Sequence, residues 1–156
     1  MALYKGHLLG GIVTGVSFLF IISSFFSLPI TFFRSVELLV CSLAGSLFPD
    51  IDIKSKGQKY FYRIIFVLVA IAFYKGNIHV ALYCSFFSII PLIVRHRGIF
   101  HTVWFVVVIP SLLFYIVSLY FPVYKSLLIW DALFFIGGAF SHLILDFGFK
   151  GLWKFR

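Results

Sequence analysis

Six long apolar runs, separated by short polar segments, restrict this chain to a narrow set of folds. The runs cover residues 8–28, 35–48, 62–74, 78–94, 102–121 and 126–145. An apolar run of about 17–25 residues can cross a bilayer as an α-helix, because a helix pairs its backbone polar groups internally. Hydrophobic residues make up 62% of the chain, against about half in a soluble domain. The sequence therefore predicts an all-α, polytopic membrane protein with about six transmembrane helices in one compact bundle.

The second and third runs are shorter than a full membrane span. We expect these two helices to begin or end inside the bilayer, or the membrane to thin around them. We find no internal repeat, low-complexity tract or linker, so residues 1–156 are predicted to form a single integral-membrane domain. Several glycines in the first and last runs would permit close helix contact: Gly10, Gly11, Gly15, Gly137 and Gly138.

The formal net charge of +8 is spread over small basic clusters between the apolar runs, without a continuous basic face. This pattern favours contact with anionic lipid head groups, and we expect membrane lipids rather than nucleic acid as partners. Ten of the 13 lysines and arginines fall at the N-terminus, in or next to the loops after the second and fourth runs, and at the C-terminus. The positive-inside rule then predicts that both termini are cytoplasmic.

Most of the histidines and acidic residues fall on this same predicted side of the membrane. They are His7, Asp50, Asp52, His96, His101, His142 and Asp146. Ionisable residues in membrane regions are functional by default, and a metal ion would neutralise carboxylates while accepting imidazole nitrogen. The sequence therefore predicts a metal site at the cytoplasmic face. The remaining three, Glu37, His79 and Asp131, are predicted to be interfacial residues on the far side.

Local spacing suggests how these ligands could meet. His142 and Asp146 are four residues apart and share a helix face, so both could bind one metal, or Asp146 could orient His142. His96 and His101 are five residues apart, which does not match one helix face, but Gly98 would allow a turn that brings both inward.

The motif FPDID carries two further carboxylates. An extended segment is favoured after Pro49, and in an extended segment Asp50 and Asp52 point the same way. Two carboxylates so close together favour a cation between them, because their like charges repel.

Three motifs, "LFPDID", "HRGIFHT" and "SHLILDFGFKGLW", follow the early His7 in this order. Together they resemble the bacterial and archaeal family of membrane-bound metal-dependent hydrolases, an inner-membrane family associated with LexA regulation. The resemblance covers nearly the whole chain and implies metal or catalytic roles for all seven residues of the predicted site. It also implies a location in the cytoplasmic (inner) membrane. The chain departs from the family pattern at Phe100 and Thr102, which flank the second histidine of the motif, and at Ile53, where many members have histidine.

The predicted chemistry is metal-assisted hydrolysis at the membrane interface. One or two divalent ions, with Zn or Mn favoured by the mixed imidazole and carboxylate ligands, would bind water and lower its pKa. Asp52 or Asp146 is the candidate general base. Arg95 and Arg97, helped by Lys54, would hold a phosphate through their charge-assisted hydrogen bonds. We therefore expect a phosphoester or pyrophosphate of a lipid or lipid-linked substrate.

Three other functions compete with this prediction. Metal-independent lipid phosphatases also use an HxxxD pair, but they need an arginine about six residues before the histidine, where this chain has Ile136. A metal transporter or sensor would need polar residues through the middle of the spans and ligands near both faces of the membrane, whereas the interiors of the runs are almost wholly apolar. A structural protein that binds anionic lipid would explain the basic loops but not the one-sided set of histidines and aspartates.

Overall fold

The computed structural model describes residues 4–25, 31–93 and 99–151, and the regular structure in these ranges is helical. In the described ranges the α-helices are α1 (Tyr4–Phe25), α2 (Phe32–Leu47), α3 (Lys56–Tyr74), α4 (Ile78–Ile93), α5 (Val103–Tyr120) and α6 (Lys125–Gly151). Short 3-10 segments lie at Phe48–Asp52, Ile99–His101 and Pro122–Tyr124. The predicted all-α fold is confirmed.

Side-chain caps, rather than hydropathy, decide where α2 and α3 begin. The Thr31 hydroxyl accepts a hydrogen bond from the backbone N–H of Arg34 at 3.3 Å, and the Ser55 hydroxyl accepts one from Gln58 at 3.0 Å. Each cap pairs a backbone donor that has no partner inside the helix. Both helices therefore start before their apolar runs, and α3 has 19 residues although its apolar run is much shorter.

Among the residues that the structure describes, four helical segments are long and apolar enough to cross a membrane, by length and composition: Tyr4–Phe25, Phe32–Asp52, Val103–Tyr120 and Pro122–Gly148. Their outer surfaces carry large apolar side chains, such as Phe20 at 71% exposure and Tyr120 at 78%. Contiguous apolar surface of this extent is unusual for a protein in water and suits contact with lipid. The prediction of a helical membrane bundle is confirmed.

The chain divides into two compact units. The first unit comprises Met1–Pro49 and His101–Arg156, and it contains α1, α2, α5 and α6. The second unit, Asp50–Phe100, contains α3 and α4. Within the second unit, the Tyr62 hydroxyl on α3 donates to the Ser88 carbonyl on α4 at 2.9 Å. A single domain over residues 1–156 stays a prediction.

Helices α2 and α6 pack backbone against backbone inside the first unit. A Cβ atom on Gly45 would overlap the Phe135 carbonyl, and one on Gly138 would overlap the Ser42 carbonyl. The Ser42 hydroxyl also donates to the Gly11 carbonyl at 2.8 Å, which joins α1 to α2. Small residues are what allow membrane helices to approach this closely. Close contact at Gly11 and Gly138 was expected from the sequence and is confirmed.

A largely buried ion pair joins the beginning of α2 to the beginning of α6. Arg34 Nη1 lies 2.7 Å from Glu37 Oε2 and 2.8 Å from Asp131 Oδ1. Arg34 Nη2 donates to the Leu127 carbonyl at 2.6 Å. Asp131 is only 6% exposed. Glu37 and Asp131, which the sequence predicted as interfacial residues on the far side, thus share Arg34 as a partner, and Asp131 is buried inside the unit.

Replacing Asp131 by alanine should lower the free energy of unfolding by about 3 kcal/mol. Removing one partner of a buried ion pair is costly because the other charge stays buried without a partner. We expect the lower end of that cost, because Glu37 remains beside Arg34. Thermal unfolding of the detergent-purified protein measures the loss. The double variant Arg34→Leu with Asp131→Leu should recover most of it, because no unpaired charge stays buried. Equal unfolding temperatures for the single variant and the unaltered protein would contradict this role.

Candidate metal centre

The helix ends of the first unit bring together residues that are far apart in the sequence. His7 lies in the first turn of α1, His101 directly precedes the Thr102 cap of α5, and His142 and Asp146 lie near the end of α6. These four residues meet at one end of the first unit. The Arg34–Asp131 pair lies at the other end of this unit, near the beginnings of α2 and α6. Four of the seven predicted ligands are thus in one cluster.

Three imidazoles surround the Asp146 carboxylate. The Nε2 atom of His7 lies 3.6 Å from Asp146 Oδ1. The Nε2 atoms of His142 and His101 lie 3.7 Å and 4.0 Å from Asp146 Oδ2. None of these four side chains is more than 2% exposed. The cluster is therefore closed to bulk solvent.

These distances are too long for direct hydrogen bonds, which need about 2.7–3.2 Å between nitrogen and oxygen. A tetrahedral ion with ligands at about 2.0–2.2 Å places its ligand atoms roughly 3.4 Å apart. Ligand atoms of His101, His142 and Asp146 all lie within 4.8 Å of one another. The spacing is therefore closer to that of groups sharing an ion than to that of hydrogen-bonded partners.

A backbone carbonyl determines the proton position on His142. The Nδ1 atom of His142 lies 2.7 Å from the Ser46 carbonyl oxygen. Since a carbonyl can only accept, Nδ1–H donates, and in the neutral ring the lone pair is on Nε2. His142 Nε2 lies 3.7 Å from Asp146 Oδ2. The nitrogen lone pair and the carboxylate oxygen are thus two electron-rich groups close together in the protein interior. A backbone acceptor that orients the far nitrogen toward a cation is the usual arrangement of metal-binding histidines.

Buried polar atoms at the centre of the cluster indicate the same chemistry. Asp146 Oδ1 and His7 Nδ1 are inaccessible to solvent and have no hydrogen-bond partner among the described residues. Burying a carboxylate without compensation is costly, and a divalent cation supplies that compensation. The donor set of imidazole nitrogen and carboxylate oxygen suits Zn and Mn. The residues present therefore fit a divalent metal.

Ring packing fixes the orientation of the histidines. The His7 and His142 rings stack with centroids 3.7 Å apart and planes inclined by 13°. His101 lies edge-on to His142, with centroids 5.5 Å apart and planes inclined by 66°. Rings held by neighbours on three helices lose little freedom when they bind a ligand, which is how a binding site is preorganised.

The two carboxylates of FPDID do not have the predicted local geometry. Phe48–Asp52 is a 3-10 helix, so the expected extended segment is wrong. With about three residues per turn, Asp50 and Asp52 leave the helix on different sides. Pro49 causes no break because a proline in the first turn of a helix needs no N–H partner. Asp50 and Asp52 belong to the second unit, where the Ser55 hydroxyl donates to the Asp50 carbonyl at 2.8 Å.

The predicted site also includes Lys54, Arg95, His96 and Arg97. Lys54 is exposed in the second unit. Arg95, His96 and Arg97 lie outside the described residues. Sequence reasoning missed the Ser46 carbonyl, because a backbone atom leaves no trace in a search for ligand side chains. The small residues Gly45 and Ser46 in α2 were the available signal that the α2 backbone approaches another helix.

The fold and the cluster define a multi-pass α-helical membrane protein with a buried histidine–aspartate centre at one end of its first unit. Residues 1–152 match the family described as YdjM inner membrane protein. The chain belongs to the YdjM inner membrane protein family, and it is a multi-pass protein of the inner membrane. No curated protein and no solved structure matches it.

Proposed function

We propose that this protein is a membrane-embedded, metal-dependent hydrolase. It cleaves a phosphoester or pyrophosphate bond of a lipid or lipid-linked substrate at the cytoplasmic face. The observation that carries the proposal is the convergence of His7, His101 and His142 on the buried Asp146 carboxylate. Burying ionisable side chains in a membrane protein is energetically costly, so their presence indicates a functional site.

His101, His142 and Asp146 would hold the ion. A bound divalent metal supplies a water of lowered pKa and polarises a phosphoryl oxygen. The protein's own part is orientation: the Ser46 carbonyl keeps the proton on His142 Nδ1, so that Nε2 stays a donor of electrons to a cation. Burial of the four side chains excludes bulk water and strengthens every electrostatic interaction among them.

The proposed general base is Asp52 or Asp146. Both Asp146 oxygens have imidazole nitrogens within 4.0 Å, so this carboxylate is also suited to bind a cation. Asp50 and His96 stay proposed, from the sequence, as further ligands. Arg95 and Arg97 stay proposed as phosphate-binding residues, because their guanidinium groups match phosphate oxygens.

Lipid-facing surface next to the cluster supports a lipid substrate. Leu9, two residues after His7, is 61% exposed, and Trp104, three residues after His101, is 66% exposed. Tryptophan is enriched at the level of the lipid head groups. A lipid head group would therefore lie at the depth of the cluster without leaving the membrane.

A metal transporter is less well supported by the same structure. Transport would need cation ligands along the length of the bundle. In the described part of the first unit, the histidine and aspartate ligands of the cluster lie at one end, and the buried polar groups nearer the middle include serines such as Ser42.

Removing the metal should abolish hydrolysis. We expect the purified protein to contain Zn or Mn, to release phosphate or a head group from phospholipids or polyprenyl pyrophosphates, and to lose this activity in chelator. Adding the metal back should restore it. Elemental analysis and a substrate panel assayed with and without chelator measure both properties. A purified protein without bound metal, whose turnover of any substrate ignores the chelator, would refute the proposal.

A further inference from the structure

The two oxygens of Asp146 face different histidines. Oδ1 has His7 Nε2 at 3.6 Å, whereas Oδ2 has His142 Nε2 at 3.7 Å and His101 Nε2 at 4.0 Å. Ligand atoms of His101, His142 and Asp146 lie within 4.8 Å of one another, and those of His7 and His142 also lie within 4.8 Å of each other in a second group of possible ligands. The carboxylate thus divides the histidines into two sets.

We propose that Asp146 bridges two divalent cations, one bound through Oδ2 with His101 and His142, and the other through Oδ1 with His7. This inference rests on the proposed function and deepens it. In two-metal hydrolytic sites the ions lie about 3.5–4 Å apart and stabilise both the attacking and the leaving oxygen of a phosphoryl group. A carboxylate that offers one oxygen to each ion is suited to that spacing.

The environment of His7 supports a ligand role over a packing role. Its side chain is 2% exposed, and its Nδ1 atom is buried without a hydrogen-bond partner among the described residues. Its Nε2 atom is too far from Asp146 Oδ1 for a hydrogen bond, which needs at most about 3.2 Å. A histidine kept only for packing would leave the buried Nδ1 atom without compensation, at the cost of burying a polar group.

The stack of His7 on His142 explains how one carboxylate can serve both rings. The planes of the two rings are inclined by only 13° and their centroids are 3.7 Å apart, so the rings lie face to face. Their Nε2 atoms then approach different oxygens of Asp146. The ring of His142 is fixed by Ser46, and the ring of His7 is fixed by the stack.

The ion beside His7 should bind more weakly than its neighbour. His7 and Asp146 Oδ1 give it two protein ligands in the first unit, against three for the other ion. Two dications also exceed the single negative charge of Asp146. Further anionic ligands, such as a substrate phosphate, would balance that excess, as they do for ions bound by only one or two carboxylates.

Metal stoichiometry tests the bridge without any activity assay. The full-length protein in detergent is dialysed against Mn²⁺, and bound metal per chain is measured. We expect about two ions per chain in the unaltered protein. We expect about one ion per chain in His7→Gln, because this variant loses one of the two sites. His79→Gln is the matched control, because His79 is exposed at the start of α4 in the second unit. It should keep both ions.

Electron paramagnetic resonance of the same samples provides a second readout. The unaltered protein should show a spin-coupled Mn²⁺ pair, and His7→Gln an isolated ion. Circular dichroism checks that the variant keeps its helices. One uncoupled ion in both proteins would overturn the bridge and leave the proposed hydrolase intact. Two coupled ions in His7→Gln would show that His7 is not a ligand of the second ion, which would also overturn the proposal. No bound ion in the unaltered protein would refute the proposed function as well.

Discussion

Asparagine in place of Asp146 should abolish metal binding at the centre and reduce hydrolysis by about 10³-fold or more. A loss of 10²–10³-fold is typical when a single preorganised electrostatic group is removed, and here the change also removes the charge that holds the cation. Asparagine has nearly the shape of aspartate, so the packing of His7 and His142 around it should persist. Elemental analysis and initial rates on the best substrate of the panel measure the two effects.

The matched control for this variant is Glu37→Gln, which removes a carboxylate at the opposite end of the first unit. Glu37 is paired with Arg34 but its side chain is 56% exposed, so its loss should leave metal content and rate near those of the unaltered protein. If Asp146→Asn keeps its metal and full turnover while the helices remain intact, the centre described around Asp146 is not the site of hydrolysis.

Alanine in place of Gly138 should lower the free energy of unfolding by about 3 kcal/mol or more. Overpacking usually costs about 1–3 kcal/mol, and here the added methyl group would meet the Ser42 backbone rather than a side chain that can turn away. Helices α2 and α6 would have to separate. Thermal unfolding in detergent, followed by circular dichroism, measures the change.

The same variant should weaken the metal centre. Separating α2 from α6 would move the Ser46 carbonyl away from His142 Nδ1, and losing an interaction that orients a metal ligand typically costs about 10–100-fold in affinity. Gly10→Ala is the control, because its added methyl group meets only side chains, the end of Leu145 at 2.8 Å and Ser141 Oγ at 3.2 Å, and no backbone. A Gly138→Ala protein as stable as Gly10→Ala would show that the α2–α6 contact tolerates a side chain.

Sorting residues by predicted membrane side found much of the candidate site. Hydropathy located the apolar helices, and the alternation of sides placed His7, His101, His142 and Asp146 together. This worked because consecutive membrane helices run in opposite directions, so every second connection returns to the same face. The helix-sharing pair of His142 and Asp146 was also predictable, since a spacing of four is fixed by helix geometry.

Local conformation was harder to predict where a helix ends. Pro49 suggested an extended segment, yet the chain continues from α2 into the 3-10 helix Phe48–Asp52. A proline disfavours the helical conformation of the residue before it but is tolerated in a first turn, and the sequence does not say which effect prevails. The orientation of Asp50 relative to Asp52 depended on that choice.

The pattern of hydropathy and charge was sufficient for the class of protein and for the meeting of His7, His101, His142 and Asp146 at one end of the first unit. Both follow from the requirement that helices cross a membrane. The pattern could not say that the Ser46 carbonyl orients His142, that Arg34 reaches Asp131, or that His7 and His142 approach different oxygens of one carboxylate. These contacts depend on how far helices approach each other and at what rotation, and that is decided by side-chain packing over the whole interface, such as the close contact at Gly45 and Gly138.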